Sequence, residues 1–229
     1  MIVLCCLWLF ASQAQAWHDQ THLAICKAAG FNMWYHCAGP DIAKIKAGNI
    51  EAYNHWFNNT AEVEITPQMV LDQVERYNKR NKILDPEGHL LGAIIASLRD
   101  YEKDLRSDKY AMYHLVYCAH YIGDLTMPLH NIAYDDFNQG HHQANDGIVE
   151  DTILKESEKI AGHMYPITLN KKDFEADLAR EIARIANLSR VLGYKLRAEK
   201  RDMTKEEAYI QLGHSASLFK AVLQHYNRR

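Results

Sequence analysis

Residues 117–146 read YCAHYIGDLTMPLHNIAYDDFNQGHHQAND, and this stretch decides how the rest of the chain is interpreted. It contains two His-x-x-x-Asp pairs, His120 with Asp124 and His142 with Asp146, and a further candidate, His130, between them. His141 also precedes the second pair, but the residue four positions on from it is Asn145, a poor zinc ligand. Residues four apart share one face of a helix, so both members of a pair can reach the same ligand. Imidazole and carboxylate groups are ligands that zinc binds in proteins. The stretch therefore predicts a metal site carried by helices.

A single His-x-x-x-Asp pair on a helix is more often a surface hydrogen bond than a metal site, so the case depends on the two pairs occurring together. The helix that carries His120 and Asp124 is otherwise mostly apolar, which would place both residues in a core. A carboxylate buried without a partner is energetically costly. Gly123 allows a close approach beside them, and Pro128 is expected to end the helix. These features favour a bound ion over a chance arrangement.

Apolar residues recur at helical spacing along nearly the whole chain, and no run alternates as a β-strand would. Thr66-Pro67 and the capping box at 204–207 are typical of helix N-termini. The segments predicted to be helical are 20–31, 67–79, 88–105, 107–124, 173–195 and 204 to about 226. Residues 127–140 are predicted to form a loop, after which His142 and Asp146 open the next helix. We therefore expect a single compact all-α domain of several helices.

The composition is that of an ordinary folded protein: of 229 residues, 48% are hydrophobic and 24% are charged, with a formal net charge of −3. This mild acidity argues against a protein that coats duplex DNA, which would carry a basic excess. The count of 13 histidines is unusual, and histidine is the commonest metal ligand. The composition therefore directs attention to metal chemistry.

The first 16 residues, MIVLCCLWLFASQAQA, form an apolar run that ends in a pattern typical of signal-peptide cleavage, Ala14-Gln15-Ala16. We expect 1–16 to be a secretory signal peptide and 17–229 to be the mature domain, secreted or periplasmic. The alternative is a buried N-terminal helix, since no lysine or arginine precedes the run. No later segment has the length and hydrophobicity of a transmembrane helix.

Three cysteines follow the predicted cleavage site, Cys26, Cys37 and Cys118. An odd number of cysteines in an oxidising compartment leaves at least one thiol unpaired. Cys26 and Cys37 can pair with each other, although the sequence alone does not establish a disulfide.

The N-terminal part supplies further candidate ligands, each of which also has an ordinary interpretation. His22 can be a polar residue on a helix face. Asp41 comes after Gly39-Pro40, where an aspartate can cap a helix. His55, in the segment YNHWF, can be a half-buried loop histidine. Trp17 would be the first residue of the mature chain.

Taken in order, these residues resemble the trinuclear zinc site of one superfamily, which joins the zinc-dependent phospholipases C to the single-strand-specific zinc nucleases with 3′-nucleotidase activity. Each ligand position of that pattern carries an acceptable residue here, and HYIGDLTMPLH is the most specific stretch. The matching residues are Trp17, His22, Asp41, His55, His120, Asp124, His130, His142 and Asp146. The resemblance covers nearly the whole predicted mature chain and implies an all-α fold with a three-zinc site in a cleft.

The resemblance also implies a role for each of these residues. The implied ligand sets are Asp41, His55, His120 and Asp124 for the first zinc; Asp124, His22 and the amine and carbonyl of Trp17 for the second; and His130, His142 and Asp146 for the third. A closely spaced zinc pair lowers the pKa of a bound water, which can then attack phosphorus. Asp41 would be the catalytic residue that orients or deprotonates that water.

Within the superfamily, the residues favour the nuclease branch over the phospholipase branch. The short spacing from Trp17 to His22, the aspartate at the last ligand position, Asp146, and the motif GDLTMPLHNIAY, which is similar to GDxTQPLHxxAY, match the nucleases. Other features depart from them: Met127 replaces the usual glutamine, Ile132 stands where an acidic residue is common, and AGPDI is closer to the phospholipase pattern. We therefore expect single-stranded nucleic acid or nucleotides as substrate, with phospholipid head groups as the alternative.

Candidate substrate contacts are fewer and less specific. Trp56 is a candidate platform for stacking a nucleobase and Asn58 a candidate contact to a base edge, while core packing is the ordinary alternative for Trp56. Met33, Trp34 and Tyr35 form an apolar stretch for which core packing is favoured. A second alternative function is a non-catalytic zinc-binding protein, whose sign would be a fully closed coordination sphere. The sequence implies no protein partner.

The implied role of Trp17 gives a testable prediction, because an α-amine can bind a metal only if it is a chain terminus. A protein that starts Met-Trp17 is expected to lose most of its activity relative to one that starts at Trp17. The measurement is phosphate-ester hydrolysis by the two proteins, with each N-terminus confirmed by mass spectrometry. Full activity of the extended protein would contradict the role of the amine.

Overall fold

The computed structural model describes residues 17–79, 85–107 and 110–227, so the predicted signal peptide of 1–16 lies outside the described residues. Within these ranges the chain forms ten α-helices and no β-strand, which confirms the prediction of a compact all-α domain. In chain order they are α1 (Asp19–Ala28), α2 (Gly39–Ala47), α3 (Asn49–Ala52), α4 (Pro67–Gln73), α5 (Leu90–Arg106), α6 (Met112–Leu125), α7 (Asp136–Asp146), α8 (Ser157–Gly162), α9 (Phe174–Glu199) and α10 (Lys205–Asn227). Single 3₁₀ turns lie at Trp34–His36, Val74–Arg76 and Pro128–Asn131. None of the helices in these ranges has the length and hydropathy that a membrane crossing requires.

Two of the predicted helix starts have the hydrogen bonds that their sequences indicate. At the start of α4, the hydroxyl of Thr66 accepts a hydrogen bond from the backbone N–H of Met69, at 3.2 Å. At the start of α10, the hydroxyl of Thr204 accepts from the N–H of Glu207 at 3.1 Å. The Glu207 carboxylate in turn accepts from the N–H of Thr204 at 2.9 Å. The reciprocal capping box predicted from the sequence is therefore present.

The segment between α6 and α7 differs from its prediction as a loop over 127–140. It contains a 3₁₀ turn, and α7 begins well before 140. The reason is local: the Asp135 side chain accepts a hydrogen bond from the N–H of Asn138 at 3.0 Å and caps the helix early. His142 and Asp146 therefore lie in the second half of α7, and the prediction that they open a helix is wrong.

Other helix boundaries also differ from the predicted ones. α1 ends at Ala28 instead of 31, and α5 begins at Leu90 instead of 88. α4 ends at Gln73 and passes into a 3₁₀ turn instead of continuing toward 79. α6 begins at Met112 instead of 107, and α9 continues to Glu199, beyond 195. Caps and tertiary packing set helix ends, and the spacing of apolar residues does not report either of them.

The core is centred on α5 and α6, which pack against each other. All side chains of α6 from Cys118 to Leu125 are buried. A second apolar cluster, which includes Trp17, Met127 and Leu212, joins α1 to α10. α6 also contacts α1, α2 and the Pro128–Asn131 turn. The buried C-terminal half of α6 therefore meets several elements that carry candidate ligands.

The structure shows which of the three cysteines in the described residues are paired. Cys26 and Cys37 form a disulfide, which ties α1 to the segment that precedes α2. Cys118 is buried in α6 outside any disulfide, and burial raises the pKa of its thiol to about 12. Cys118 is therefore a core residue with an unreactive thiol.

The apolar stretch 33–35 belongs to the core only in part. Met33 and Trp34 are half-buried and pack against the main core, whereas Tyr35 is 57% exposed. The Tyr35 ring contacts His36, whose ring contacts Tyr113. The expectation of core packing is therefore wrong for Tyr35, which belongs to an aromatic group at the surface.

The crossing of α4 and α5 leaves no room for a side chain at Gly92, where a Cβ would overlap the backbone of Gln73 and Val74. In α7, a Cβ at Gly140 would meet nothing within 4 Å. We expect Gly92→Ala to lower the free energy of unfolding by about 1–3 kcal/mol through overpacking. Gly140→Ala should raise it by up to about 1 kcal/mol, because alanine favours the helix. Urea unfolding measures both, and equal stabilities would contradict the close crossing.

Candidate metal centre

The structure brings together all the side chains that the sequence predicts as metal ligands. Three groups of them have ligand atoms within 4.8 Å of one another: His22, His120 and Asp124; Asp41, His55 and His120; and His130, His142 and Asp146. The first two groups share His120, and we call them together the first cluster; the third group is the second cluster. Every member is buried except Asp41, whose side chain is 16% exposed.

Six elements supply these residues, and one of the six, α6, contacts several of the others. In chain order they are α1 with His22, α2 with Asp41, the turn after α3 with His55, α6 with His120 and Asp124, the Pro128–Asn131 turn with His130, and α7 with His142 and Asp146. A Cβ at Gly123 would lie 2.6 Å from His22 Nδ1. Glycine at this position of α6 therefore lets α1 approach closely enough for His22 to reach the cluster.

Asp124 lies at the centre of the first cluster. Its Oδ2 is 2.9 Å from His55 Nδ1 and 3.5 Å from His120 Nε2, and its Oδ1 is 3.4 Å from His22 Nε2. The two oxygens thus face different histidines, as a carboxylate that bridges two ions would. Asp41 Oδ1 lies near the same two histidines as Asp124 Oδ2, 3.7 Å from His120 Nε2 and 3.8 Å from His55 Nδ1.

The second cluster joins the 3₁₀ turn to α7. His130 Nε2 is 3.2 Å from His142 Nε2, and the latter is 3.5 Å from Asp146 Oδ2. His130 Nδ1 also lies 3.9 Å from Asp124 Oδ1, so the two clusters are neighbours. The spacing of four along α7 therefore brings His142 and Asp146 together, as predicted, although the helix starts earlier than expected.

The buried polar atoms of these groups show whether the clusters suit a cation. The carboxylate oxygens of Asp124 and Asp146 make no hydrogen bond, and neither does either ring nitrogen of His22. Burial raises the pKa of both carboxyl groups well above its usual value and lowers the pKa of His22 and His120 to about 4. Neutral imidazoles that face carboxylates without hydrogen bonds are unfavourable in an empty core. They are favourable around a metal ion, so these buried clusters can hold one.

Several ligand candidates are oriented by a contact on their outer nitrogen. His120 Nδ1 donates a hydrogen bond to the carbonyl of Cys37 at 2.8 Å, which leaves Nε2 for the cluster. His142 Nδ1 donates to Asn138 Oδ1 at 2.6 Å. His55 Nε2 lies 3.3 Å from Glu51 Oε1. Such outer contacts fix the tautomer and the ring orientation of metal-binding histidines.

Glu51 and Asn138 are two further residues of the site that were not predicted, although the sequence contains a signal for both. Each lies four residues before the histidine it contacts, His55 and His142. The same spacing that identifies the His-x-x-x-Asp pairs would therefore have identified them. The Cys37 carbonyl gives no such signal, because it reaches His120 only through tertiary packing.

Asp41 has a second neighbour that the sequence did not indicate. Lys44 Nζ donates a hydrogen bond to Asp41 Oδ1 at 2.8 Å. Burial acts to raise the pKa of Asp41, but His120 and Lys44 together outweigh it and hold the pKa at about 2. Asp41 therefore carries its charge at neutral pH. Its ordinary interpretation as a helix cap is wrong, because α2 begins at Gly39 and Asp41 lies inside the first turn.

Trp17 is buried, and the residue after it contacts a member of the second cluster. The Trp17 side chain is fully buried, and the backbone N–H of the next residue, His18, donates to the carbonyl of Asp146 at 3.4 Å. Glu150 caps α1 by accepting hydrogen bonds from the N–H groups of Gln20 (2.8 Å) and Thr21 (3.0 Å). The predicted start of the mature chain is therefore held against α7. The metal-binding role of its amine remains a prediction.

The two candidate substrate contacts both pack against the loop before α5. Trp56 is half-buried, meets the Tyr53 ring edge-on at 5.8 Å, and lies against Gly88, where a Cβ would not fit. The side-chain amide of Asn58 donates to the carbonyl of Pro86 at 2.8 Å. Both residues thus have a structural role, and their contact with substrate remains a prediction.

Comparison with known proteins gives no match to a family model, a curated protein or a solved structure. The geometry of the site and the ligand chemistry therefore carry the functional argument.

The buried carboxylate of Asp146 gives a prediction for the metal-free protein. Its pKa is raised by burial from 3.8, so the folded state loses stability as the pH rises through the raised pKa. We expect Asp146→Asn to raise the free energy of unfolding of EDTA-treated protein at pH 8 by about 1–3 kcal/mol. The gain should vanish below about pH 4, where the wild-type carboxyl is neutral in both states.

Urea unfolding of the two proteins at both pH values measures this effect. The same substitution should reduce the amount of metal bound after loading. A variant that is less stable than the wild type at pH 8 without metal would contradict the charge penalty.

Proposed function

We propose that this protein is a secreted zinc-dependent phosphodiesterase that binds three zinc ions and hydrolyses phosphate esters of single-stranded nucleic acid or nucleotides. The observation that carries the proposal is the presence of two neighbouring buried clusters of histidine and aspartate, the first of them centred on Asp124. The Cys26–Cys37 disulfide fits an oxidising, extracytoplasmic compartment.

The donor set favours zinc over other divalent ions. Imidazole nitrogens outnumber carboxylates in the two clusters, whereas calcium and magnesium prefer oxygen ligands. Asp124 can bridge two ions in the first cluster because its oxygens face different histidines. The second cluster offers ligands for a third ion. This stoichiometry is the one that the resemblance to the trinuclear zinc enzymes implies.

Bound there, zinc would supply Lewis-acid stabilisation of phosphate oxygens and a water of lowered pKa. The residues of the chain contribute position and charge. Asp41 is ionised and is the partly exposed member of the clusters, so its carboxylate can accept a proton or hydrogen bond from an attacking water. Lys44, held by Asp41, adds a positive charge beside the site, where an anionic phosphate would be attracted.

The partial exposure of Asp41 also separates the proposal from a non-catalytic zinc-binding protein. A structural zinc site is closed by protein ligands on every side, whereas a catalytic site keeps an open position. A ligand side chain that reaches solvent supports an opening at that edge of the first cluster.

Phospholipid hydrolysis is the second candidate, and one observation favours it. Ile42 and Ile45, which follow Asp41 on α2, are 61% and 64% exposed, and Tyr35 precedes the same helix at the surface. Exposed apolar side chains beside a site are typical of a surface that meets a lipid or another apolar partner. The short spacing from Trp17 to His22 and the aspartate at position 146 support the nuclease branch, which we rank first.

The experiment is a side-by-side assay of the zinc-loaded protein on single-stranded DNA, RNA, a 3′-nucleotide and phosphatidylcholine vesicles. We expect hydrolysis of the nucleic acid and nucleotide substrates, and a loss of about 10²–10⁴-fold in kcat for Asp41→Asn, as for removal of a general base. The matched control is Asp104→Asn, because Asp104 also pairs with a histidine (His114 Nε2, 2.9 Å) but lies outside both clusters.

Three outcomes would count against this proposal. Hydrolysis of phosphatidylcholine alone would reverse the ranking of substrates. No hydrolysis of any phosphate ester by fully loaded protein would favour the non-catalytic alternative. Equal losses in Asp41→Asn and Asp104→Asn would show that the effect of Asp41 is not specific to the site.

A further inference from the structure

Behind the first cluster lies a buried polar network centred on Glu51. The side chain of Glu51 is almost fully buried, and its two oxygens are held by separate donors. The Tyr121 hydroxyl donates to Oε1 at 2.7 Å, and the Asn54 side-chain amide donates to Oε2 at 3.1 Å. The same Oε1 lies 3.3 Å from His55 Nε2. The carboxylate is therefore fixed in place with one oxygen directed at an imidazole.

The two ring nitrogens of His55 face in different directions. Nδ1 points into the first cluster, 2.9 Å from Asp124 Oδ2 and 3.2 Å from His120 Nε2. Nε2 points away from it, toward Glu51. A neutral imidazole has one protonated and one bare nitrogen, and only the bare one can bind a metal. A carboxylate at Nε2 selects the tautomer that leaves Nδ1 bare.

Glu51 differs from the outer contacts of the other histidines. His120 and His142 donate to neutral groups, the carbonyl of Cys37 and the side-chain amide of Asn138. Among these described outer contacts, His55 alone faces a carboxylate. Two divalent ions in the first cluster would bring four positive charges, which Asp41 and Asp124 offset only in part. A further carboxylate behind a ligand reduces that excess and strengthens the imidazole as a donor.

The carboxylate is itself supported by a chain of contacts. Asn54 Oδ1 lies 2.8 Å from His89 Nε2, and His89 Nδ1 lies 2.9 Å from Asp85 Oδ2. These contacts orient the Asn54 amide toward Glu51. The outer end of this network contains no ligand candidate, so Asp85 offers a control in the same hydrogen-bonded system.

From this geometry we infer that Glu51 is a positioning residue of the metal centre: its carboxylate faces Nε2 of His55 at 3.3 Å, favours the proton on that nitrogen, and so presents Nδ1 to the metal. The inference rests on the proposed zinc-binding function but not on the identity of the substrate. Glu51 is not itself a ligand in this proposal, because its carboxylate acts on the metal only through His55.

The test measures metal affinity instead of activity. Purified protein is stripped with EDTA, and zinc affinity is determined by competition with a chromophoric chelator for the wild type, Glu51→Gln and Asp85→Asn. We expect Glu51→Gln to weaken the binding of the zinc held by His55 by about 10–100-fold, as for other outer partners of metal-binding histidines. Asp85→Asn should change it by less than about 3-fold, since it contacts no ligand. Cobalt-loaded Glu51→Gln should also show an altered visible spectrum.

A His55→Ala background makes the test specific. If Glu51 acts through His55, adding Glu51→Gln to His55→Ala should change the affinity for the remaining zinc little further. Urea unfolding of the metal-free variants checks that the fold is retained. If Glu51→Gln does not fold, Tyr121→Phe replaces it, because it keeps the carboxylate but removes one hydrogen bond to Oε1, and a measurable loss of affinity is expected.

The outcomes are distinguishable from those of the proposed function. Unchanged zinc affinity in folded Glu51→Gln, or an equal loss in Asp85→Asn, would overturn the positioning role. Wild-type protein that binds zinc but hydrolyses no phosphate ester would contradict the proposed enzyme while the Glu51 result stands. Wild-type protein that binds no zinc would overturn both.

Discussion

The carboxylates of Asp124 and Asp146, buried without a hydrogen bond, are the constraint on which the rest of this structure depends. An anion in a helical core is strongly unfavourable unless an opposite charge compensates for it. The histidines around them do not supply that charge, because burial lowers the pKa of His22, His55 and His120 and keeps them neutral. A cation bound between these side chains would supply that charge, and the clusters have the donor groups to hold one. Six elements of the fold supply the side chains that surround these carboxylates.

The layer outside the ligands explains how a core of packed helices can hold such groups in a defined orientation. Glu51 and Asn138 each contact a histidine four residues later, so each candidate ligand and its support are close in sequence. The carbonyl of Cys37 orients His120, and the disulfide to Cys26 holds that carbonyl against α1. Glycine at position 123 completes the arrangement, because it lets α1 and α6 approach. Position in the site is thus determined by local spacing, one covalent link and close helix packing.

The sequence predicted the members of the site better than it predicted their surroundings. The two His-x-x-x-Asp pairs and the apolar character of α6 were sufficient to expect a buried metal site, because helical periodicity is a local property. The start of α7 was misplaced, since it depends on a single cap at Asp135. The contact of Lys44 with Asp41, and the loop contacts of Trp56 and Asn58, depend on side-chain packing that spacing does not encode. The substrate class is proposed from the resemblance and from the residues exposed at the surface, since neither cluster by itself selects one phosphate ester.

Anomalous diffraction at the zinc absorption edge, from crystals of the mature protein, tests the central claim most directly. We expect two peaks in the first cluster on either side of Asp124, and a third among His130, His142 and Asp146. We also expect His55 to bind through Nδ1. A structure at full zinc loading with no peak in either cluster, and with the buried carboxylates hydrogen-bonded as neutral acids, would contradict this claim.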